Sequence, residues 1–280
     1  MLSDINILII GCGKVGSLLA KAFHKAGYNI AGIADPNPLD SQWLTDNNIF
    51  VTDSIAALSN EAQFVVIAVG DDCIKDVAAE IVAMKGFSKG AVVAHTAGAL
   101  SANILEPVRR VKALPLAWHP LQTFTGGEDS EILHGVTFTL DGDPEAVRIG
   151  KEIAVRLGGI PIEISPQSRA LYHLAAVMTS AMTCGLFGMA VRLMTETGMT
   201  ASQAEKALSP LLIRTVQNIS KDLKSAVTGP LLRADAETIK THLKILEKYP
   251  EVGEIYRQLS YELLGLLDDA DLAKKIKSLL

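Results

Sequence analysis

The chain has 280 residues, 49% of them hydrophobic and 20% charged, enough apolar material to bury sizeable cores and too much for a disordered chain. Lys and Arg number 26 against 31 Asp and Glu, and a net charge of −5 lacks the basic excess that nucleic-acid binding requires. Cys12, Cys73 and Cys184 are an odd number, far apart and without a Cys-x-x-Cys. They make neither a disulfide framework nor a zinc site, and they predict a reducing, cytoplasmic setting.

The first 165 residues alternate short β-like runs with helical patterns. Residues 5–10 predict a strand that is too short for a signal core and stops at Gly11, with a helix pattern to about residue 26. Residues 29–34 predict a second strand, ended by Asp35-Pro36-Asn37-Pro38. Further strands are expected at 49–52, 64–69, 91–95, 113–118, 136–140 and 160–164, and helices at 76–84 and 144–157. Pro115 and Pro161 mark two of these as edge or irregular strands. The alternation predicts an α/β fold, a doubly wound and mostly parallel sheet covered by helices.

After Ser165-Pro166 the strand signal ends. Helices are expected at 167–196, 201–208, 210–224, 235–248, 252–268 and 270–279. The expected organisation is a sheet domain over 1–165, then an all-helical domain over 166–280 for substrate binding and dimerisation. Residues 171–191 hold no Asp, Glu, Lys or Arg and reach the ~20 residues that a bilayer requires. Tyr172, His173, Thr179, Ser180 and Thr183 lie within it, and no second spanning candidate exists, so it reads as the buried core helix of a domain or dimer rather than a membrane span.

Gly11-Cys12-Gly13-Lys14-Val15-Gly16 is a G-x-G-x-x-G between a predicted strand and helix, the context that dinucleotide binding needs. The first glycine permits a tight turn and the second lets a diphosphate approach the backbone. The third lets helix and strand pack closely, with the diphosphate on the helix N-terminus. Asp35, 24 positions after Gly11, can accept bonds from ribose hydroxyls and would repel a 2′-phosphate, or it simply begins an Asp-Pro turn. The expected cofactor is NAD or NADP, with Asp35 favouring NAD. The loops Val69-Gly70-Asp71-Asp72 and His95-Thr96-Ala97-Gly98 should end strands, placing Val69, Gly70 and Thr96 near that cofactor. Otherwise they are turns capped by Asp or Thr.

His119, at a predicted strand end, can donate a proton to a carbonyl or imine, or it orients its loop. Arg169 and His173 are spaced i, i+4 and share a face, with Ser180 near it. Together they can bind a substrate carboxylate and polarise its carbonyl, the permanently charged Arg169 holding the anion. The plainer alternative is helix-end solvation for Arg169 and a satisfied core histidine at His173. Thr228-Gly229-Pro230 precedes Arg233, Asp235 and a helix carrying His242. Asp235 reads as a helix N-cap, and Arg233 as either an anion contact or a partner of Asp235. No cluster has metal-ligand spacing, so no metal is expected.

The glycine motif, Ala68-Val69-Gly70-Asp71-Asp72, His95-Thr96-Ala97-Gly98-Ala99, Trp118-His119-Pro120-Leu121, Tyr172-His173, and Thr228-Gly229-Pro230 through His242 follow one order. That order resembles a family of Rossmann-like proteins with a C-terminal helical domain of largely unassigned function. The family is similar to pyrroline-5-carboxylate reductase, ketopantoate reductase and the wider 6-phosphogluconate dehydrogenase-like group. The resemblance spans nearly the whole chain. It implies an NAD(P)-dependent oxidoreductase that reduces a small 2-oxo acid, ketopantoate-like, or a cyclic imine, in a cleft completed by a homodimer partner. Arg169, Ala181 and Ala234 stand where members often carry Lys, Asn and Gly. Related reductases use that Lys and Asn to activate a carbonyl, so a catalytically inactive dinucleotide-binding sensor is the alternative. A methyltransferase holding S-adenosylmethionine on the glycine loop is a third expectation.

Overall fold

The computed structural model describes residues 5–39, 41–58, 61–266 and 270–280. It divides into two compact units, Met1–Ser180 and Ala181–Leu280.

The first unit holds strands β1 (Asn6–Ile10), β2 (Asn29–Ala34), β3 (Val51–Thr52), β4 (Phe64–Ile67), β5 (Val92–His95), β6 (Leu114–Pro120), β7 (Thr137–Gly142) and β8 (Ile160–Glu163). Its helices are α1 (Lys14–Lys25), α2 (Ser41–Asp46), α3 (Ile74–Ala83), α4 (Pro144–Arg156) and α5 (Arg169–Thr179). The strands form one sheet in the order β3-β2-β1-β4-β5-β6-β7-β8, parallel except between β6 and β7. Every residue of β4 and β5 is buried, because helices cover both faces and leave no polar side to alternate. One face packs Ile7, Ile9, Phe64 and Trp118 with Phe23 of α1 and Ile153 of α4; the other packs Leu8, Val65 and Ile67 with Ile74 and Ile81 of α3. Phe23 stacks on Trp118 at 6.2 Å, and the Trp118 indole N–H donates to the Gly150 carbonyl at 3.0 Å. Strand order reverses between β1 and β4, the point at which an open α/β sheet has a crevice at its carboxyl edge.

One strand departs from expectation. Pro115 predicts an edge or irregular strand, yet β6 lies between β5 and β7. The Leu114 N–H donates to the Ala91 carbonyl at 2.8 Å, so position 115 turns toward β7 instead. Pairing with β7 begins only at Leu116, and the missing proline N–H falls just outside the ladder. Pro161 lies on the edge strand β8, where a proline is tolerated.

The second unit contains α6 (Ala181–Thr195), α7 (Ala201–Ile219), α8 (Ala236–Leu246), α9 (Pro250–Gly265) and α10 (Ala270–Lys277), with a small core of Leu231, Ile239, Leu264 and Ile276. Thr200 and Gln203 close a capping box on α7. The helices expected at 201–208 and 210–224 are one helix, α7, with Pro210 inside it. The proline removes one helical bond, and the carbonyl left behind belongs to exposed Lys206, where water can serve it.

The helix expected over 167–196 is interrupted at Ser180, with φ −103° and ψ −83°, where the two compact units divide. Residues Pro166–Thr195 are, among the described residues, the one stretch long and apolar enough to cross a membrane, with mean hydropathy 1.7 and no buried share. The expected buried domain core is therefore not formed within one chain: α6 buries no residue at all.

Candidate functional site

The glycine turn joins β1 to α1 at the sheet's switch point. Gly11 has φ +89°, and a Cβ there would lie 2.6 Å from the Ala68 carbonyl oxygen, so side chain and backbone both forbid another residue. A Cβ on Gly16 would fall 2.0 Å from the Gly11 oxygen, which is the close helix–turn contact. Gly13 differs: a Cβ there would meet nothing within 4 Å. Open space thus lies over the middle of the turn. Gly13 is the N-cap of α1 and provides no side-chain cap, and the first turn carries no acid, so its free N–H groups can receive an anion. Cys12 is buried, Lys14 exposed and Val15 half-buried.

Asp35 sits just past β2. Its Oδ2 accepts the Cys12 N–H at 2.6 Å and its Oδ1 accepts the Asn37 N–H at 2.7 Å, so the carboxylate braces the glycine turn and begins its own. Each oxygen keeps a second lone pair for a hydroxyl. Gly70, with open space at its Cβ position, and Val69 lie at the end of β4, and the Thr96 N–H bonds the Ile67 carbonyl at 3.1 Å at the end of β5. The glycine turn, Val69-Gly70 and Thr96 therefore share the carboxyl edge of neighbouring strands.

Two strands further on, three imidazoles gather. A Cβ on Gly98 would lie 2.5 Å from His173 Cδ2 and 3.0 Å from His119 Nε2, so this position has room only for glycine. The His119 and His173 ring centroids are 6.4 Å apart. His119 Nδ1 lies 2.7 Å from the Tyr172 hydroxyl. Burial, and then the Arg169 charge, push His119 down to about 4, so the ring is neutral at pH 7. His95 is fully buried: its Nδ1 accepts the Ala97 N–H and its Nε2 lies 3.2 Å from the Ser101 carbonyl, which fixes the neutral Nε2–H form. Burial likewise lowers it to about 4.

Arg169 shares the inward face with His173 as spaced, but it does not present a free anion site. Its Nε donates to Asp141 Oδ2 at 2.5 Å, Nη1 to Thr139 Oγ1 at 3.1 Å, and Nη2 to the Ala117 and Thr139 carbonyls. The guanidinium is a buried anchor of α5 on β6 and β7 with four of its five N–H donors engaged, not the accessible carboxylate contact expected of Arg169. Ser180 donates its hydroxyl to the Ala176 carbonyl at 2.8 Å and acts locally.

The remaining candidates belong to the second unit. Thr228 and Arg233 are exposed, and Gly229 turns the chain with φ +97°. Asp235 caps α8, accepting the Thr238 N–H at 3.2 Å, and its pKa is lowered first by the Thr238 bonds and then by the Arg233 charge. His242 Nδ1 lies 3.2 Å from the Tyr256 hydroxyl. Among the described residues no group of three or more His, Cys, Asp or Glu is placed to hold a metal ion.

Tyr172, Asp141, Thr139 and Tyr256 did not emerge as site residues from the sequence. Tyr172 stands at i+3 from Arg169, and Thr139 and Asp141 at period two on one face of β7, so the two helical and strand periodicities carry a signal for three of them.

Fold and site define a Rossmann-like protein with a helical C-terminal region. Residues 2–120 match the family model of the Rossmann-like domain and residues 136–263 that of a domain of unknown function, DUF2520, so the chain joins these two domains. No curated protein matches the sequence. A candidate NADP oxidoreductase from Bacteroides fragilis superposes with TM-score 0.75 at 24% identity, covering 94% of this chain and 99% of that one. A protein from Thermotoga maritima gives 0.73 at 23%, covering 93% and 97%. Plasmodium falciparum pyrroline carboxylate reductase, with NADP bound, gives 0.62 at 14%, covering 99% and 98%. At these identities the likeness shows the shared fold.

Proposed function

We propose that the protein is an NAD(P)-dependent oxidoreductase reducing a small 2-oxo acid, ketopantoate-like, or a cyclic imine. The observation that carries this reading is the open position over Gly13, walled by Gly11 and Gly16 and facing an uncapped helix N-terminus. That cradle fits a diphosphate. The nicotinamide, when bound, supplies the hydride. Gly11–Gly16 hold the diphosphate, Asp35 accepts from the adenosine ribose, and Val69, Gly70 and Thr96 border the remainder. Asp35 favours NAD by repelling a 2′-phosphate. His119 and His173 face the substrate, His119 as a neutral hydrogen-bond donor to the oxygen or nitrogen that gains charge.

In solution the reading includes a homodimer in the cytoplasm. A groove of Thr183, Leu186, Phe187, Leu208, Leu211 and Thr215 between α6 and α7 is almost wholly apolar, and Met182, Ile213 and Val216 stand exposed near it. A second copy of the chain is the occupant that accounts for it. Sedimentation velocity tests this, and a monomer at micromolar concentration would overturn it.

The locked guanidinium of Arg169 favours one further reading, a dinucleotide-binding sensor without catalysis. One experiment separates the two: NADH and NADPH are each offered with a panel of 2-oxo acids and cyclic imines while absorbance at the nicotinamide band is followed. Turnover with any of them supports the oxidoreductase; binding with no turnover across the panel supports the sensor.

A further inference from the structure

The contact between His119 and Tyr172 has a direction that the chemistry of its two groups determines. The two rings pack edge to face with centroids 5.6 Å apart, and His119 Nδ1 lies 2.7 Å from the phenol oxygen. Either atom can carry the shared proton, since a neutral imidazole and a phenol both donate and accept. A phenol O–H, with a pKa of about 10, is the stronger donor of the two, and a neutral imidazole nitrogen the stronger acceptor. Burial raises the Tyr172 pKa further, so the phenol keeps its proton at neutral pH. Tyr172 therefore donates, and His119 Nδ1 is the acceptor in reach.

We infer that Tyr172 is a positioning residue that holds His119 as the Nε2–H tautomer, presenting a hydrogen-bond donor beside Gly98 to a carbonyl oxygen or imine nitrogen. The opposite tautomer would set Nδ1–H against the phenol oxygen, the weaker acceptor, and leave Nε2 as a bare lone pair, which repels such an acceptor. Nε2 points toward Gly98, where a Cβ would lie 3.0 Å away, so the absence of a side chain at that position keeps the donor accessible. The inference deepens the oxidoreductase reading and rests on it for the identity of the acceptor; the tautomer itself is independent of it.

The test is nitrogen-15 NMR of histidine-labelled protein near neutral pH, with His119 assigned from a His119→Asn variant. The wild type should show a protonated, pyrrole-type Nε2 and a bare, pyridine-type Nδ1. Tyr172→Phe should shift His119 toward the other tautomer, and with an active substrate it should lower kcat about tenfold with cofactor KM unchanged, the loss expected of one hydrogen bond. A wild-type spectrum with the proton on Nδ1, or a Tyr172→Phe spectrum identical to wild type in a folded protein, would overturn the inference. An Nε2–H signal that depends on Tyr172, in a protein that turns over no carbonyl or imine, would uphold the positioning and remove the oxidoreductase reading.

Discussion

Arg169 and Asp141 form a buried ion pair: Nε and Oδ2 are 2.5 Å apart, and the side chains are 1% and 3% exposed. Asp141 also accepts the Ala102 N–H at 2.8 Å, so one carboxylate ties α5 on one side and the segment after the β5 loop on the other. Removing one member leaves the other charged and dry. Arg169→Ala should cost ~3–5 kcal/mol of unfolding free energy in urea titration, while Arg169→Met combined with Asp141→Leu should recover most of it. A loss of under ~1 kcal/mol for Arg169→Ala would mean that the pair does not anchor the helix.

The two buried imidazoles make stability depend on pH. His95 and His119 are both held at about 4 in the folded chain, below the ordinary histidine value of about 6.5. Between those values the unfolded chain takes up protons that the folded chain refuses. Stability is therefore full above about pH 6.5 and falls as pH drops toward 4, with His95 alone contributing up to ~3 kcal/mol. Urea midpoints measured across that window should decline with acid, and His95→Gln should flatten the decline. A wild-type midpoint that stays constant over the window would contradict the burial of both rings.

Gly13 and Gly16 should respond oppositely to the same change. Gly16→Ala drives a methyl into the Gly11 carbonyl and should destabilise by at least ~3 kcal/mol. Gly13→Ala meets no atom of the protein and should cost at most about 1 kcal/mol, the loss of glycine at a helix N-cap, while abolishing dinucleotide binding. Calorimetric melting of both variants checks the stability half of this contrast.

Ala234 has φ +48°, in the left-handed region that L-residues enter at a cost. The turn is held by its N–H on the Leu231 carbonyl and that of Asp235 on the Pro230 carbonyl, at 3.0 and 2.9 Å. Ala234→Gly should relieve the strain and raise stability by ~1 kcal/mol in denaturant titration. A neutral or negative effect would show that the backbone strain is compensated elsewhere.

The sheet and its glycine turn were legible because their signals are local. Apolar runs of four to six residues, a strand-glycine-helix junction and an acid after β2 each report on one segment. The misses arose where a partner strand or a tertiary anchor overrode a local rule. Pro115 looks like an edge marker until β7 is known to start pairing one residue later. Pro210 stands where two helices were expected to meet, yet α7 runs through it from Ala201 to Ile219, with Lys206 four residues back exposed. Arg169 reads as an exposed cation because nothing in its own helix announces Asp141, 28 residues earlier on a strand. Tyr172 enters the sequence reading only through the Tyr172-His173 block, because the i, i+4 spacing pairs Arg169 with His173. What places it in the site is the His119 ring, 53 positions away.

The most direct measurement is isothermal titration of NADH and NADPH into the wild-type protein and into Gly13→Ala. The account predicts saturable binding of at least one nucleotide to wild type, NADH the tighter, and none to the folded variant. Failure of both nucleotides to bind wild type, or undiminished binding to Gly13→Ala, would contradict it.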